Sequence, residues 1–270
     1  MNDELRDRIL ASYPAVLIRR FFDLELLDRA FGLAAQAFVA ILPLVIVAIS
    51  VLFSDGGEVI ASSISDRFGL AGTARNALSA LFTASTSHER TIYWVALIFS
   101  FLSAFSLSRR LSRVYASIFG VPRLRRSQTW RGLIWIVVQV LLLIAASWLR
   151  DLRIGAGLGL TVLAVAGLLV VWFAADVAGL RLLVPTVGMR LIAASAIVSG
   201  IGRLGIAVWA AVYMPRSLES QAQQYGPIGV TFAIFTYLLA GVLVYICAPL
   251  IVTTWISWRE GTPAPELPAE

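Results

Sequence analysis

The sequence predicts an all-α fold, a polytopic membrane helix bundle of about six transmembrane helices with an N-terminal interfacial helix and short helices in one outside loop. Three observations predict it. Of 270 residues, 59% are hydrophobic and only 14% charged, where an average soluble domain has roughly 25% charged. The mean hydropathy is +0.84, and the apolar residues gather in long blocks, several reaching the ~20 residues that cross ~30 Å of hydrocarbon at 1.5 Å per residue. The arginines between those blocks are unequally shared.

Taken in order, residues 1–29 form a cytoplasmic or interfacial segment. Apolar Ile9, Leu10, Tyr13, Val16, Leu17, Phe21 and Leu24 recur at helical spacing with charges between them, as in a helix lying in the interface plane. A cap packed on the bundle accounts for the pattern equally well, and Pro14 would kink or restart the helix. The charges also make this stretch unlike a cleavable signal peptide. The transmembrane domain is expected over 30–258. Span 1 covers 30–53 and contains Gln36 and Pro43. A hydrophilic stretch of 54–90 follows, with moderate amphipathic periodicity (Val59, Ile60, Ile64, Phe68, then Leu78, Leu81, Phe82) around Gly69 and Gly72 that predicts one or two short helices outside the membrane. Span 2 is apolar over 91–107, and its helical pattern continues through Arg109, Arg110, Arg113 and Tyr115 to the stop signal at Gly120–Pro122. Spans 3 to 6 are expected over 132–149, 155–180, 189–213 and 226–258. The proline-rich, acidic tail 259–270 has the composition of a disordered segment.

Orientation follows from the arginine count, since cytoplasmic loops carry the excess. With the N-terminus inside, fifteen arginines fall on the cytoplasmic side, seven of them in the basic loop 108–131, against six outside. Both termini are therefore expected in the cytoplasm. Trp94, Trp130, Trp148, Trp255 and Trp258 lie near expected span ends, where indole rings prefer the interface.

Composition excludes several functions. All 22 cations are arginine, and a Walker A loop needs its lysine to reach the phosphates. One cysteine, Cys247, and one histidine, His88, cannot build a Cys/His zinc site. His88 has Glu89 beside it but no evident nucleophile, and the carboxylates are scattered, so no enzyme, cofactor or metal is expected. The run Gly200-Ile201-Gly202-Arg203-Leu204-Gly205 matches a dinucleotide fingerprint, but inside an apolar span its glycines read as close helix packing. Gly155, Gly157 and Gly159 read the same way.

Two charges remain unexplained by topology: Arg203 in mid-span 5 and Asp176 late in span 4. A charge at the bilayer centre costs roughly 2.5–3.5 kcal/mol on insertion scales and faces the bundle interior or a wet cavity. Arg203 is thus a candidate anion-binding or headgroup-binding residue. A buried structural pair with Asp176, or bonding to backbone carbonyls, remains the alternative. Gln36 fits a hydrogen bond across helices or a place in a polar cavity, and Pro43, one or two turns later, removes a backbone donor and frees a carbonyl, which a simple packing kink also explains. Arg109, Arg110 and Arg113 are candidates for anionic lipid headgroups, although topology alone explains most of their number. Without a stacking platform they do not point to nucleic acid.

Three stretches resemble the YihY/BrkB family of membrane proteins. Ala34-Ala35-Gln36-Ala37-Phe38-Val39-Ala40-Ile41-Leu42-Pro43-Leu44 resembles its alanine-rich first helix. Phe101-Leu102-Ser103-Ala104-Phe105 through Arg109-Arg110-Leu111 to Tyr115 resembles the second, and Tyr225-Gly226-Pro227-Ile228-Gly229, with Tyr237, the start of the last. The resemblance covers residues 20–258. It departs at Cys247-Ala248-Pro249-Leu250, where many members carry a glycine-alanine-glutamate segment, so no role of that glutamate transfers. The resemblance implies a six-helix bacterial inner-membrane protein linked to envelope integrity, with lipid transport proposed for some members. A ribonuclease label attached to the family is generally regarded as mistaken. The leading expectation is a transporter or flippase-like handler of a lipid or other amphipathic anion. The alternatives are a scaffold binding envelope partners through 54–90 and, remotely, a membrane hydrolase. Membrane lipids are the expected partners, and a homo-oligomer is left open.

Overall fold

The computed structural model describes residues 12–52, 62, 65–66, 72–83, 90–124, 128, 130–151 and 158–262. Among them are eight helices and no strand: α1 (Tyr13–Asp23), α2 (Leu26–Leu52), α3 (Gly72–Thr83), α4 (Arg90–Phe119), α5 (Trp130–Asp151), α6 (Leu158–Leu183), α7 (Met189–Tyr225) and α8 (Pro227–Glu260). Expectations at Ile9, Leu10, positions 59, 60, 64 and 68, His88, Gly155, Gly157 and the tail beyond 262 lie outside the described residues. Three described stretches are long and apolar enough to cross a membrane: Val165–Leu183, Met189–Tyr225 and Pro227–Glu260. A membrane protein is what these lengths and compositions fit.

The chain forms two compact units. One comprises Met1–Ala30, Ser108–Arg203 and Leu243–Glu270; the other comprises Phe31–Leu107 and Leu204–Val242. In the first, Pro14 opens α1 at its first turn, where the missing N–H costs nothing. Tyr13 donates to the Ile251 carbonyl at 3.1 Å and sets its ring edge-on to Trp255, centroids 5.1 Å apart. Arg20 is only 7% exposed. Its guanidinium donates to Thr254 Oγ1 at 2.9 Å and to the Ile118 carbonyl at 3.2 Å, which ties α1 to α8 and to the end of α4. Burial lowers the Arg20 pKa from its ordinary value, and these bonds, with a further one to Thr253 Oγ1 at 3.4 Å, compensate for lost water. The opposite side of α1 exposes Ile18 and Phe22. The packed inner side is that of a helix docked on its own unit, and the outer side is apolar.

α4 ends where the sequence places its stop. Gly120 takes φ +63°, and Val121 N–H bonds back to the Ala116 carbonyl at 3.0 Å, a left-handed helix end that glycine adopts without Cβ strain. The arginine-rich stretch is consequently helical at Arg109, Arg110 and Arg113, all exposed.

In the second unit, α7 runs past the expected limit of 213 to Tyr225. Hydropathy marks where apolar surface stops, not where the helix does. Pro215 removes one backbone donor, and the polar turns beyond it sustain themselves, as Gln223 Nε2 donating to Glu219 Oε1 at 2.9 Å illustrates. At ~1.5 Å per residue α7 is about 55 Å long, well beyond the ~30 Å hydrocarbon layer. Only Gly226, at φ +60°, separates α7 from α8. The two helices and α3 enclose a small-residue core of Ala74, Ala77, Ala210, Met214, Leu218, Ala222, Val230 and Ala233. Glu219 accepts from the Ala74 N–H at 3.4 Å, placing a carboxylate at the positive end of the α3 dipole. Of the expected short helices in 54–90, α3 is the one within the described residues.

Two tests follow from this packing. A Cβ on Gly229 would overlap the Gln221 carbonyl oxygen, which is backbone and cannot swing aside, whereas one on Gly241 meets nothing within 4 Å. Gly229→Ala should destabilise by about 1–3 kcal/mol and Gly241→Ala should be neutral or stabilising by up to ~1 kcal/mol, compared by thermal unfolding in detergent. Arg20→Lys keeps the charge but loses the planar fork that serves two helices at once; faster hydrogen exchange over residues 13–23 should report the undocking of α1.

Candidate functional site

The first unit holds the chain's central charge cluster, and helical spacing builds it. Trp172 and Asp176 lie one turn apart on α6; Ser195, Ser199 and Arg203 lie one turn apart on α7. Residues four apart share a helix face, so each helix presents a polar stripe within an apolar surface. The stripes meet: Arg203 Nη2 donates to Asp176 Oδ2 in a salt bridge. The second terminal nitrogen, Nη1, donates to the Tyr245 hydroxyl of α8 at 2.7 Å. The guanidinium carbon also sits 4.9 Å from the Trp172 ring centroid and 4.9 Å from that of Tyr245, within range of cation–π attraction. Tyr115 of α4 donates to the Tyr245 carbonyl at 3.4 Å, which links a fourth helix to the cluster.

Burial is uneven. The Asp176 side chain is 2% exposed and that of Arg203 18%. Asp176 Oδ1, Ser199 Oγ and Arg203 Nε are buried without a hydrogen-bond partner. Beside them is a cavity of about 20 Å³ lined by Asp176, Ser195, Ser199, Tyr115, Tyr245 and Gln139, with apolar walls that include Pro249. A water needs roughly 10–15 Å³ of such space and two or more polar partners. This cavity meets both conditions and is far too small for a lipid.

Arg203 and Asp176 are therefore brought together. Gln36 is half-buried on α2 and belongs to the second unit. Pro43 lies within α2, its surroundings outside the described residues. Arg109, Arg110 and Arg113 stand exposed on the last turns of α4. Within the glycine run, the structure distinguishes one member: a Cβ on Gly202 would come 2.6 Å from Val244 Cγ1, while Gly200 and Gly205 face open space. That is a packing contact between α7 and α8 in mid-helix, with no strand-to-helix turn for a dinucleotide.

Sequence reasoning missed the partners. Trp172 and Ser199 could have been found as i−4 neighbours of Asp176 and Arg203. Tyr245 and Tyr115 had no local signal, because aromatic residues are common throughout apolar helices. Arg20 was misleading in another way: counted among the orientation charges, it is in fact a buried cross-link.

Removing one member of a buried ion pair strands the other. Arg203→Ala or Asp176→Ala should each destabilise by on the order of 3 kcal/mol, while Arg203→Met combined with Asp176→Leu should recover most of that loss; thermal unfolding of the purified single and double variants decides it. No family model, curated protein or solved structure matches this chain.

Proposed function

We propose that this chain is a multi-pass protein of the bacterial inner membrane, of the YihY/BrkB type, with six spans and both termini in the cytoplasm, that handles a lipid or other amphipathic anion. It acts as a transporter or flippase and not as an enzyme. The observation that carries the reading is the Arg203–Asp176 pair held between two apolar helices. Ionisable groups are expensive in such helices, and those retained usually belong to a substrate or ion pathway.

The chemistry is that of exchange. A guanidinium binds phosphate or carboxylate through paired N–H donors. Arg203 already offers two terminal nitrogens to oxygen acceptors, Asp176 and Tyr245. An anionic headgroup supplies the same kind of acceptor and can take the place of Asp176. The guanidinium retains some exposure, through which such a headgroup would reach it.

The one-water size of the cavity beside the pair favours a second reading, a packed scaffold that binds envelope partners through residues 54–90. Liposome reconstitution separates the two. Wild type should move fluorescent lipid between leaflets at least ~10-fold faster than Arg203→Ala, a loss of ~1.4 kcal/mol or more in activation terms. Equal rates for wild type, variant and empty vesicles would leave the scaffold.

A further inference from the structure

Asp176 divides its carboxylate between two tasks. Oδ2 binds Arg203, whereas Oδ1 is buried, has no hydrogen-bond partner and lines the water-sized cavity. A buried unpaired carboxylate oxygen is costly, and Ser199 Oγ, also unpartnered in the same wall, gives a water its second anchor. We propose that this cavity is a proton-loading site at which a proton, delivered by water to Asp176 Oδ1, releases Arg203 to bind an anionic headgroup or phosphate. The inference rests on the anion-handling reading and adds its control.

The geometry explains why loading and release are separable. The proton arrives on the oxygen that Arg203 does not use, so the salt bridge need not break first. Once the carboxylate is neutral, Arg203 keeps the Tyr245 hydroxyl and the two aromatic rings but has no counter-charge. An anion then restores neutrality. The step balances: a hydronium ion in the bulk gives up one proton, relayed through the cavity water, the proton neutralises the carboxylate's negative charge, and the ligand brings one negative charge in its place. The titratable or charged groups facing Asp176 from the packed elements are Arg203 on α7, Tyr115 on α4 and Tyr245 on α8. α5 contributes Gln139 and Trp135, which do not titrate. Among Asp176 and these three groups, the carboxylate is the one whose protonation discharges the pair. Linkage is reciprocal: if protonation favours the anion, the anion favours protonation.

Trp172 supplies the readout, because its ring lies against the Arg203 guanidinium. The full-length protein is reconstituted in phosphatidylcholine vesicles, and the Trp172 emission is isolated as wild type minus Trp172→Phe between about pH 4 and pH 9. The titration is repeated with inorganic phosphate added, and again in vesicles containing phosphatidylglycerol. The expected result is a single titration whose midpoint rises by about one unit, the equivalent of a tenfold preference of the anion for the protonated form. The arm in which it rises identifies free phosphate or a lipid headgroup as the source. In Asp176→Asn the emission should be flat with pH. A titration that persists in Asp176→Asn, or a midpoint that neither anion moves, overturns the proposal. Should Asp176→Asn fail to accumulate, the wild-type difference signal decides alone: a flat trace overturns it and an anion-shifted one supports it. The underlying reading fails by a different observation, equal lipid movement by wild type and Arg203→Ala.

Discussion

A guanidinium placed among apolar helices must find all its hydrogen-bond acceptors within the protein, and that requirement organises the first unit. It operates twice. Arg20 satisfies it with Thr254 and the Ile118 carbonyl, and Arg203 with Asp176 and Tyr245. In each case the acceptors come from different helices, so the cost of desolvating one cation is offset only when several helices are in place together. α8 is common to both, contributing Thr254 near its end and Tyr245 two to three turns earlier. The same helix carries a ladder of hydroxyls, Thr253 and Ser257, bonded back to carbonyls one turn behind. These keep side-chain polarity satisfied without calling on water.

The exchange chemistry proposed for Arg203 depends on how completely that requirement is met. Arg20 is sealed, with neutral partners that cannot change charge over the physiological range. Arg203 has one charged partner, one unpartnered nitrogen and a residual edge of exposure. One arginine is therefore built as a fastener and the other as a contact that can be remade. Pro249 lies in the wall of the cavity next to the Arg203–Asp176 contact.

How much of this was legible in the sequence depends on the range of the interaction. Helix existence was legible throughout, because apolar blocks and glycine–proline stops are local signals: α4 ends at Phe119, beside the stop read at Gly120. Helix length was not, because the ten residues after Pro215 are mostly polar yet stay helical through their own side-chain bonds and through Leu218 and Ala222 packed in the core. Arg203 and Asp176 stood out as charges in apolar spans, and their pairing needed only that α6 and α7 be neighbours. The buried role of Arg20 was illegible, since its contacts lie 98 and 234 residues away along the chain. Its charge near a span end looks the same as one that merely sets orientation. For Gln36, legible as a polar residue in an alanine-rich helix, the structure adds half-burial in the second unit.

The joint at Gly226 bears on how such a chain comes together. With a single residue between α7 and α8, closing the connection costs almost no loop entropy. The contacts flanking it, such as Gly229 against Gln221, span fewer than ten residues of sequence. Contacts of low sequence separation form early. The two helices can therefore meet as soon as the second leaves the ribosome, before either finds its more distant partners. This hairpin is suited to be the template on which the cation-dependent packing of the rest is later assembled.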